Sequence, residues 1–84
     1  MKLNEWNNAI EYANTVCETL KTKGYNVKPS AYTMYDGRKG INLSMLDNQL
    51  TVFEQYSSGI HSNILDFKNS IDRLATRIVN ECWI

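Results

Sequence analysis

The amphipathic pattern between Ile60 and Cys82 constrains the fold of this chain more than any other stretch. Its apolar residues recur at intervals of three and four, which is the period of an α-helix with one buried face. They are Ile60, Ile64, Phe67, Ile71, Leu74, Ala75, Ile78, Val79 and Cys82. Such a helix needs another apolar surface to cover its stripe. The pattern therefore predicts a helix over 60–82, with Ser58 or Ser62 as its N-cap.

A second amphipathic helix is predicted near the start of the chain, over residues 4–23. Its apolar positions follow the same period and are Trp6, Ala9, Ile10, Ala13, Val16, Cys17 and Leu20. Asn4 is a suitable N-cap, and Gly24 is suited to the left-handed conformation that often follows a helix. Because Cys17 and Cys82 both fall on predicted apolar faces, we expect two buried, unpaired thiols.

From Tyr25 to Tyr56 the apolar period shortens to two residues, which is typical of β-strands. The predicted strands cover about 25–35, 41–46 and 50–56. Pro29 has no backbone N–H to give to a sheet ladder, which favours either an edge position for the first strand or a strand that begins after the proline.

Two turns separate these strands. The segment Asp36–Gly40 is interpreted as the first hairpin loop, in which Gly37 and Gly40 both supply positive φ. Asp47 and Asn48 are interpreted as the second turn.

The order helix, three strands, helix predicts an α+β fold. The 84 residues are enough for one domain, which would span 1–84. We expect a two-layer sandwich, in which a three-stranded antiparallel meander carries two roughly parallel helices on one face. Trp83 is expected to close the core between the helices, with an exposed anchor for a partner as the alternative.

The charge balance argues against a general nucleic-acid binder, because the formal net charge is zero. The charges are nevertheless uneven, since the segment 21–39 holds five basic residues and one acidic residue. The sequence contains neither a secretory signal pattern after Met1 nor an apolar run long enough for a membrane span. We therefore expect a cytoplasmic protein.

The side of the sheet away from the helices is the first candidate site. Strand alternation sends amphipathic and polar residues to that side. The partner-binding candidates among them are Tyr32, Met34, Asn42, Ser44, Phe53 and Gln55. Exposed aromatic and Met side chains are typical of protein interfaces, including homodimers. The alternative is that these side chains only support the strands through cross-strand pairs.

A second candidate site lies where the first hairpin loop meets the predicted helix N-termini. Arg38, Lys39 and His61 would gather there, beside backbone N–H groups that point outward. Such a cluster is suited to a phosphate or carboxylate. Ordinary solvated charges beside an exposed histidine are the alternative interpretation.

The sequence offers no set of residues typical of catalysis or metal binding. It has one histidine and two cysteines, with no C-x-x-C, H-E-x-x-H or phosphate-loop motif. We therefore expect neither an enzyme nor a metal or cofactor site.

A small protein-binding module is the functional hypothesis that fits these features. The composition is rich in Asn, Lys, Ile and Tyr, as is common in AT-rich bacterial and phage genomes. Short chains of this kind are often accessory proteins of phages or mobile elements. The hypothesis is therefore an inhibitor that occupies the surface of a host enzyme, for instance one of a defence system.

The alternative hypothesis is a nucleic-acid binder. The order of the predicted elements is similar to the topology of the double-stranded RNA-binding domain. In that family the first hairpin loop and lysines at the start of the second helix contact RNA. Here Arg38 and Lys39 occupy the loop, but the second helix opens as SSGIHSNILDF, and its first lysine is Lys68. This departure removes phosphate contacts on which affinity depends.

Overall fold

The elements follow the predicted order of helix, three strands and helix. The computed structural model describes residues 2–35, 37–53 and 63–83. The elements are α1 (Leu3–Thr22), β1 (Lys28–Thr33), β2 (Lys39–Met45), β3 (Asn48–Phe53) and α2 (Ile64–Asn80). The α+β class is therefore confirmed.

The three strands form an antiparallel meander with β2 at its centre. Ile41 of β2 lies opposite Ala31 on one side and Val52 on the other. Within the described ranges, β1 pairs with β2 alone, so the proline-containing strand has the expected edge position.

The two helices run parallel to each other on one face of the sheet. The ring of Trp6 in α1 lies edge-on to that of Phe67 in α2, with centroids 5.8 Å apart. Further along both helices, the hydroxyl of Tyr12 donates a hydrogen bond to the carboxylate of Asp72. Residue numbers thus rise in the same direction on both helices. α1 lies over β1 and β2, and α2 lies over β3.

The core lies between the helical layer and the sheet. Its buried side chains come from both helices, from β2 and β3, from the connection between α1 and β1, and from the residues after α2. They are Trp6, Ala9, Ala13, Cys17, Leu20, Tyr25, Val27, Ile41, Leu43, Val52, Phe67, Ile71, Leu74, Ile78 and Trp83. Trp83 is 7% exposed, so it closes the core as expected.

The C-terminus of α1 ends in a Schellman motif. Gly24 adopts a φ of 94°, and its N–H donates to the Lys21 carbonyl at 3.1 Å. The N–H of Tyr25 donates to the Leu20 carbonyl at 3.0 Å. These two bonds satisfy carbonyls that the helix end would otherwise leave without donors. They also place Tyr25 in the core rather than in the predicted first strand.

The C-terminus of α2 repeats the same motif with a cysteine in the glycine position. Cys82 has a φ of 54°, and its N–H donates to Val79. Trp83 donates to the Ile78 carbonyl at 3.3 Å and so enters the core. The predicted burial of Cys82 is wrong, because the helix ends at Asn80 and the left-handed turn leaves the thiol exposed.

The helix N-termini also differ from the predicted caps. α1 begins at Leu3 with Lys2 as its N-cap, two residues before the predicted cap Asn4. The Glu5 carboxylate accepts a hydrogen bond from the Lys2 backbone N–H at 3.2 Å, and its charge favours the positive end of the helix.

Asn63 is the N-cap of α2. Its side-chain oxygen accepts a hydrogen bond from the backbone N–H of Asp66 at 2.9 Å. This contact starts the regular helix at Ile64 rather than at residue 60. The predicted caps Ser58 and Ser62 lie outside the described residues.

Both hairpin turns lie earlier in the chain than the sequence predicts. β1 ends at Thr33 because Met34 begins the turn, with its N–H donating to the Arg38 carbonyl at 2.7 Å. In the second hairpin, Met45 pairs directly with Asn48. The turn residues are therefore Leu46 and Asp47, one position earlier than predicted, and Leu46 has a φ of 56°.

None of the helices in the described segments has the length and apolar character needed to cross a membrane.

Candidate interaction surface

The outer sheet face is the side of the sheet opposite the helices. Because Ile41, Leu43 and Val52 are buried against the helices, alternation turns their neighbours outward. The described residues of the outer sheet face are Lys28, Ser30, Tyr32, Gly40, Asn42, Ser44, Gln49, Thr51 and Phe53. Tyr32, Asn42, Ser44 and Phe53 thus share the face that the sequence predicts. Gln55 lies outside the described residues.

An aromatic cluster, formed by Tyr32, Met34, Arg38 and Phe53, covers one end of this face. The rings of Tyr32 and Phe53 meet edge-to-face with centroids 5.8 Å apart and an interplanar angle of 83°. The Arg38 guanidinium carbon lies 5.3 Å from the centroid of the Phe53 ring. Nη2 of Arg38 also lies 3.5 Å from the Met34 sulfur. These contacts hold four long side chains in one arrangement.

Gly40 lies beneath the two rings, in the middle strand. A Cβ atom at this position would lie 2.8 Å from Cδ1 of Phe53 and 3.2 Å from Cζ of Tyr32. The predicted turn role of Gly40 is wrong, because the residue belongs to β2 and only Gly24 and Gly37 among the described glycines have positive φ. The missing side chain instead allows the rings to meet over the backbone.

The other end of the outer sheet face is polar. The Asn42 amide donates to Oγ1 of Thr51 at 2.9 Å and to Oε1 of Gln49 at 3.3 Å. Ser44 lies beside them and is half-buried. The face therefore combines an aromatic end with a hydrogen-bonded polar end that also carries Lys28, the residue opposite Ser44.

Two of the three residues of the predicted anion cluster, Arg38 and Lys39, lie within the described residues. Arg38 lies over Phe53 on the outer sheet face. Nζ of Lys39 lies 5.5 Å from the centroid of the Trp6 ring, on the helical side. Because neighbouring residues at the start of a strand alternate in direction, these two cations are on opposite sides of the sheet. His61 lies outside the described residues.

Two exposed apolar side chains at the hairpin turns were missed by the sequence interpretation. Tyr35 in the first turn is fully exposed, and Leu46 in the second is 94% exposed. They lie at opposite ends of the sheet. The alternating pattern could not identify them, since both follow the last residue that pairs in its strand.

A groove between the helices was also missed. This helix groove has a volume of about 450 Å³ and lies on the side of the helices away from the sheet. Its lining residues are Tyr12, Thr15, Val16, Thr19, Leu20, Lys23, Asp72, Ala75, Thr76, Val79 and Asn80. The hydrogen bond to Asp72 raises the pKa of Tyr12, with desolvation adding to the effect. Helical periodicity predicts which side of each helix these residues occupy. It does not predict the distance between the two helices.

The described residues offer little for catalysis. No group of three or more His, Cys, Asp or Glu that could hold a metal occurs among them. Burial raises the pKa of the Cys17 thiol to about 11, which keeps it protonated and poorly nucleophilic. The carboxylates of Asp66 and Asp72 are hydrogen-bonded to Asn63 and Tyr12 respectively. Cys17, Asp66 and Asp72 therefore take part in the packing and hydrogen bonding of the fold.

Comparison with family models, with curated proteins and with solved structures finds no match to this chain. A function for this chain has to follow from its own surfaces.

Proposed function

We propose that this chain is a non-catalytic protein-binding module that covers the surface of another protein with its outer sheet face. The observation that supports this proposal is the aromatic cluster. Tyr, Phe, Met and Arg are enriched in the centres of protein interfaces, where a few such residues supply most of the binding energy. Here all four types occur together on the face of the sheet opposite α1 and α2, the helices of the described residues.

The arrangement also lowers the entropic cost of binding. Tyr32 and Phe53 are held against each other before any partner arrives, and Arg38 is stacked on Phe53. Side chains that are already ordered lose less conformational freedom in a complex. The polar end around Asn42 then has the character of an interface rim.

The partner that fits this face is a protein with an apolar surface patch. A module of this size acts on an enzyme by covering its substrate or assembly surface, so that inhibition is stoichiometric. A host enzyme, such as a component of a defence system blocked by a phage accessory protein, is the target class that the composition favours. A second copy of this chain would be a different occupant of the same face, and the test below distinguishes it.

Site-specific photo-crosslinking tests the proposal directly. A photoreactive amino acid is placed at Ser44 on the outer sheet face and, as a control, at Thr76 on the helices. Proteins from the source cell or its host are then crosslinked and identified. We expect one polypeptide to be attached through position 44 and not through position 76. Crosslinks from position 76 only, or only to a second copy of the chain, would contradict the proposal.

A matched pair of double variants separates binding from folding. Tyr32→Ala with Phe53→Ala removes the two rings of the aromatic cluster. Leu3→Ala with Leu65→Ala removes two apolar side chains that are 69% and 64% exposed on the helices. We expect both proteins to keep cooperative thermal unfolding, and only the first to lose the crosslink. Equal loss from both would contradict a specific role of the cluster.

Nucleic-acid binding is the second candidate, because the confirmed element order and the parallel helices keep the topology of the double-stranded RNA-binding domain. Titration of labelled duplex RNA and DNA at low salt distinguishes the two functions. We expect no shift at micromolar protein. Binding that weakens steeply with added salt would establish phosphate contacts and overturn the protein-binding proposal.

A further inference from the structure

The helix groove is closed at one end and open at the other. At the closed end the Tyr12 hydroxyl donates to Asp72 across the two helices, and Nζ of Lys68 lies 5.4 Å from the centroid of the Tyr12 ring. At the open end lies Lys23, the C-cap of α1. Eleven residues separate Tyr12 from Lys23, so the groove is about 16 Å long at 1.5 Å per residue.

Apolar side chains from both helices line the groove. Leu20 is buried, Val16 and Ala75 are half-buried, and Val79 is 37% exposed. An apolar lining that stays this accessible gains free energy when another apolar group covers it.

Threonines also line the walls of the groove, but their hydroxyls already donate hydrogen bonds to backbone carbonyls of their own helices. Thr15 donates to the Glu11 carbonyl, Thr19 donates to the Thr15 carbonyl and Thr76 donates to the Asp72 carbonyl, each at 3.1 Å. The walls therefore provide no hydroxyl donors for a polar ligand body.

The open end carries the ammonium group of Lys23, the C-cap of α1. Lys21, two residues earlier, pairs with Glu18 at 3.8 Å. Lys23 has no carboxylate partner within the portion of the chain that the structure describes. The groove thus runs from a hydrogen-bonded polar end, at Tyr12 and Asp72, along an apolar floor to the positive charge of Lys23.

We propose that the helix groove binds an unbranched amphiphile with an acidic head, of which a medium-chain fatty carboxylate is the simplest form. The apolar chain would lie along Val16, Leu20 and Val79, and the carboxylate would reach Lys23. This site lies on the opposite side of the molecule from the outer sheet face, so it is independent of the proposed protein interface.

The dimensions favour such a ligand over a helix from a partner protein. The groove volume of about 450 Å³ falls in the range of small-molecule sites. A helical segment of the same length, about 10 Å across, would occupy more than roughly 1,000 Å³. Such a helix would also meet the hydrogen-bonded pair Tyr12 and Asp72, whereas a slender alkyl chain can end beside that pair.

The binding test uses the full chain and dodecanoate, kept below its micelle-forming concentration, in isothermal titration calorimetry. We expect saturable binding with one ligand per chain. Ala75→Phe fills the groove with an apolar side chain, and we expect it to weaken binding at least about tenfold while the protein stays folded. No binding by the wild-type chain, or unchanged binding by a folded Ala75→Phe variant, would overturn the proposal.

The head group is tested with a matched pair of lysine variants. We expect Lys23→Gln to weaken dodecanoate binding about two- to fivefold, the size of an exposed ion pair. Lys21→Gln removes the same charge outside the groove and should leave binding unchanged. Dodecyltrimethylammonium, which has the same chain and a cationic head, should bind more weakly than dodecanoate to the wild type. Equal effects of the two lysine variants, or tighter binding of the cationic probe, would show that Lys23 does not select an acidic head.

Discussion

The rings of Tyr32 and Phe53 meet edge-to-face although they belong to strands that do not pair with each other. β1 and β3 flank β2, so their backbones are separated by about two strand spacings, roughly 9.6 Å. The ring centroids are only 5.8 Å apart, because Gly40 between them has no side chain. The aromatic cluster on the outer sheet face therefore depends on a single glycine.

Replacing that glycine should disturb the cluster. We expect Gly40→Ala to lower the free energy of unfolding by about 1–3 kcal/mol, because its Cβ would overlap the Phe53 ring and press against that of Tyr32. Chemical denaturation measures the change. Asn42→Ala, two residues along the same face, is the control for a general effect of altering β2. In a Phe53→Ala background Gly40→Ala should cost much less, and an equal cost there would show that the ring is not the obstacle.

Substitutions at the left-handed residues that follow α1 and α2 should change stability in opposite directions. Cys82 occupies a left-handed position in which non-glycine residues are strained by about 1–2 kcal/mol. We expect Cys82→Gly to stabilise the fold by about 0.5–1 kcal/mol, since part of the relief is offset by the greater freedom of glycine in the unfolded chain. Gly24→Ala at the equivalent position of α1 should destabilise by about 1 kcal/mol. Thermal and denaturant unfolding of both variants tests the pair; a loss of stability in Cys82→Gly would contradict it.

The hydrogen bond between Tyr12 and Asp72 predicts a loss of stability at alkaline pH. The neutral Tyr12 hydroxyl is the donor, and the bond raises its pKa above the ordinary value of about 10. The stabilisation is therefore present below that pH and is lost as the pH rises through the raised pKa. The test compares wild type with Tyr12→Phe. Both proteins keep the other nearby charges, Lys68 beside the Tyr12 ring and Lys23 in the helix groove.

The measurement is the free energy of unfolding of wild type and Tyr12→Phe from pH 7 to 11. We expect the advantage of the wild type to be constant up to about pH 10 and to shrink above it. Cys17, whose pKa is about 11, titrates in the same range but is present in both proteins. An advantage that grows with pH would contradict the assignment of Tyr12 as donor.

The two thiols should react at very different rates. Cys82 is exposed, whereas Cys17 is buried and its raised pKa of about 11 keeps it protonated. With a thiol reagent such as dithiobis-nitrobenzoate at pH 8, we expect one rapid equivalent in the native protein and two in denaturant. Cys82→Ser should abolish the rapid equivalent. Two rapid equivalents in the native wild type would mean that the core around Cys17 opens easily.

Much of the fold could be predicted because each element has its own period. The stripes of α1 and α2 specify amphipathic helices, and alternation specifies the burial of Ile41 and Leu43 between them. The outward direction of Tyr32 and Phe53 follows from the same alternation. These features depend on residues close together in the chain, so the sequence alone determines them.

The positions of element ends were harder to predict, because several side chains can satisfy a helix terminus. Asn63 caps α2, whereas the predicted caps Ser58 and Ser62 lie outside the described residues. The left-handed turn at Cys82 takes its thiol out of the predicted stripe. Which cap forms depends on which neighbouring residue packs into the core, as Trp83 does after α2.

The amino-acid sequence by itself determined the order of helices and strands and the face to which most strand residues turn. Only the tertiary structure decided that Gly40 is a site of ring contact rather than a turn, that Arg38 and Lys39 lie on opposite sides of the sheet, and that the helices leave a groove between them. The physical reason is that period and propensity act between neighbours along the chain. The distance between two side chains from different elements is set by how all the elements pack together.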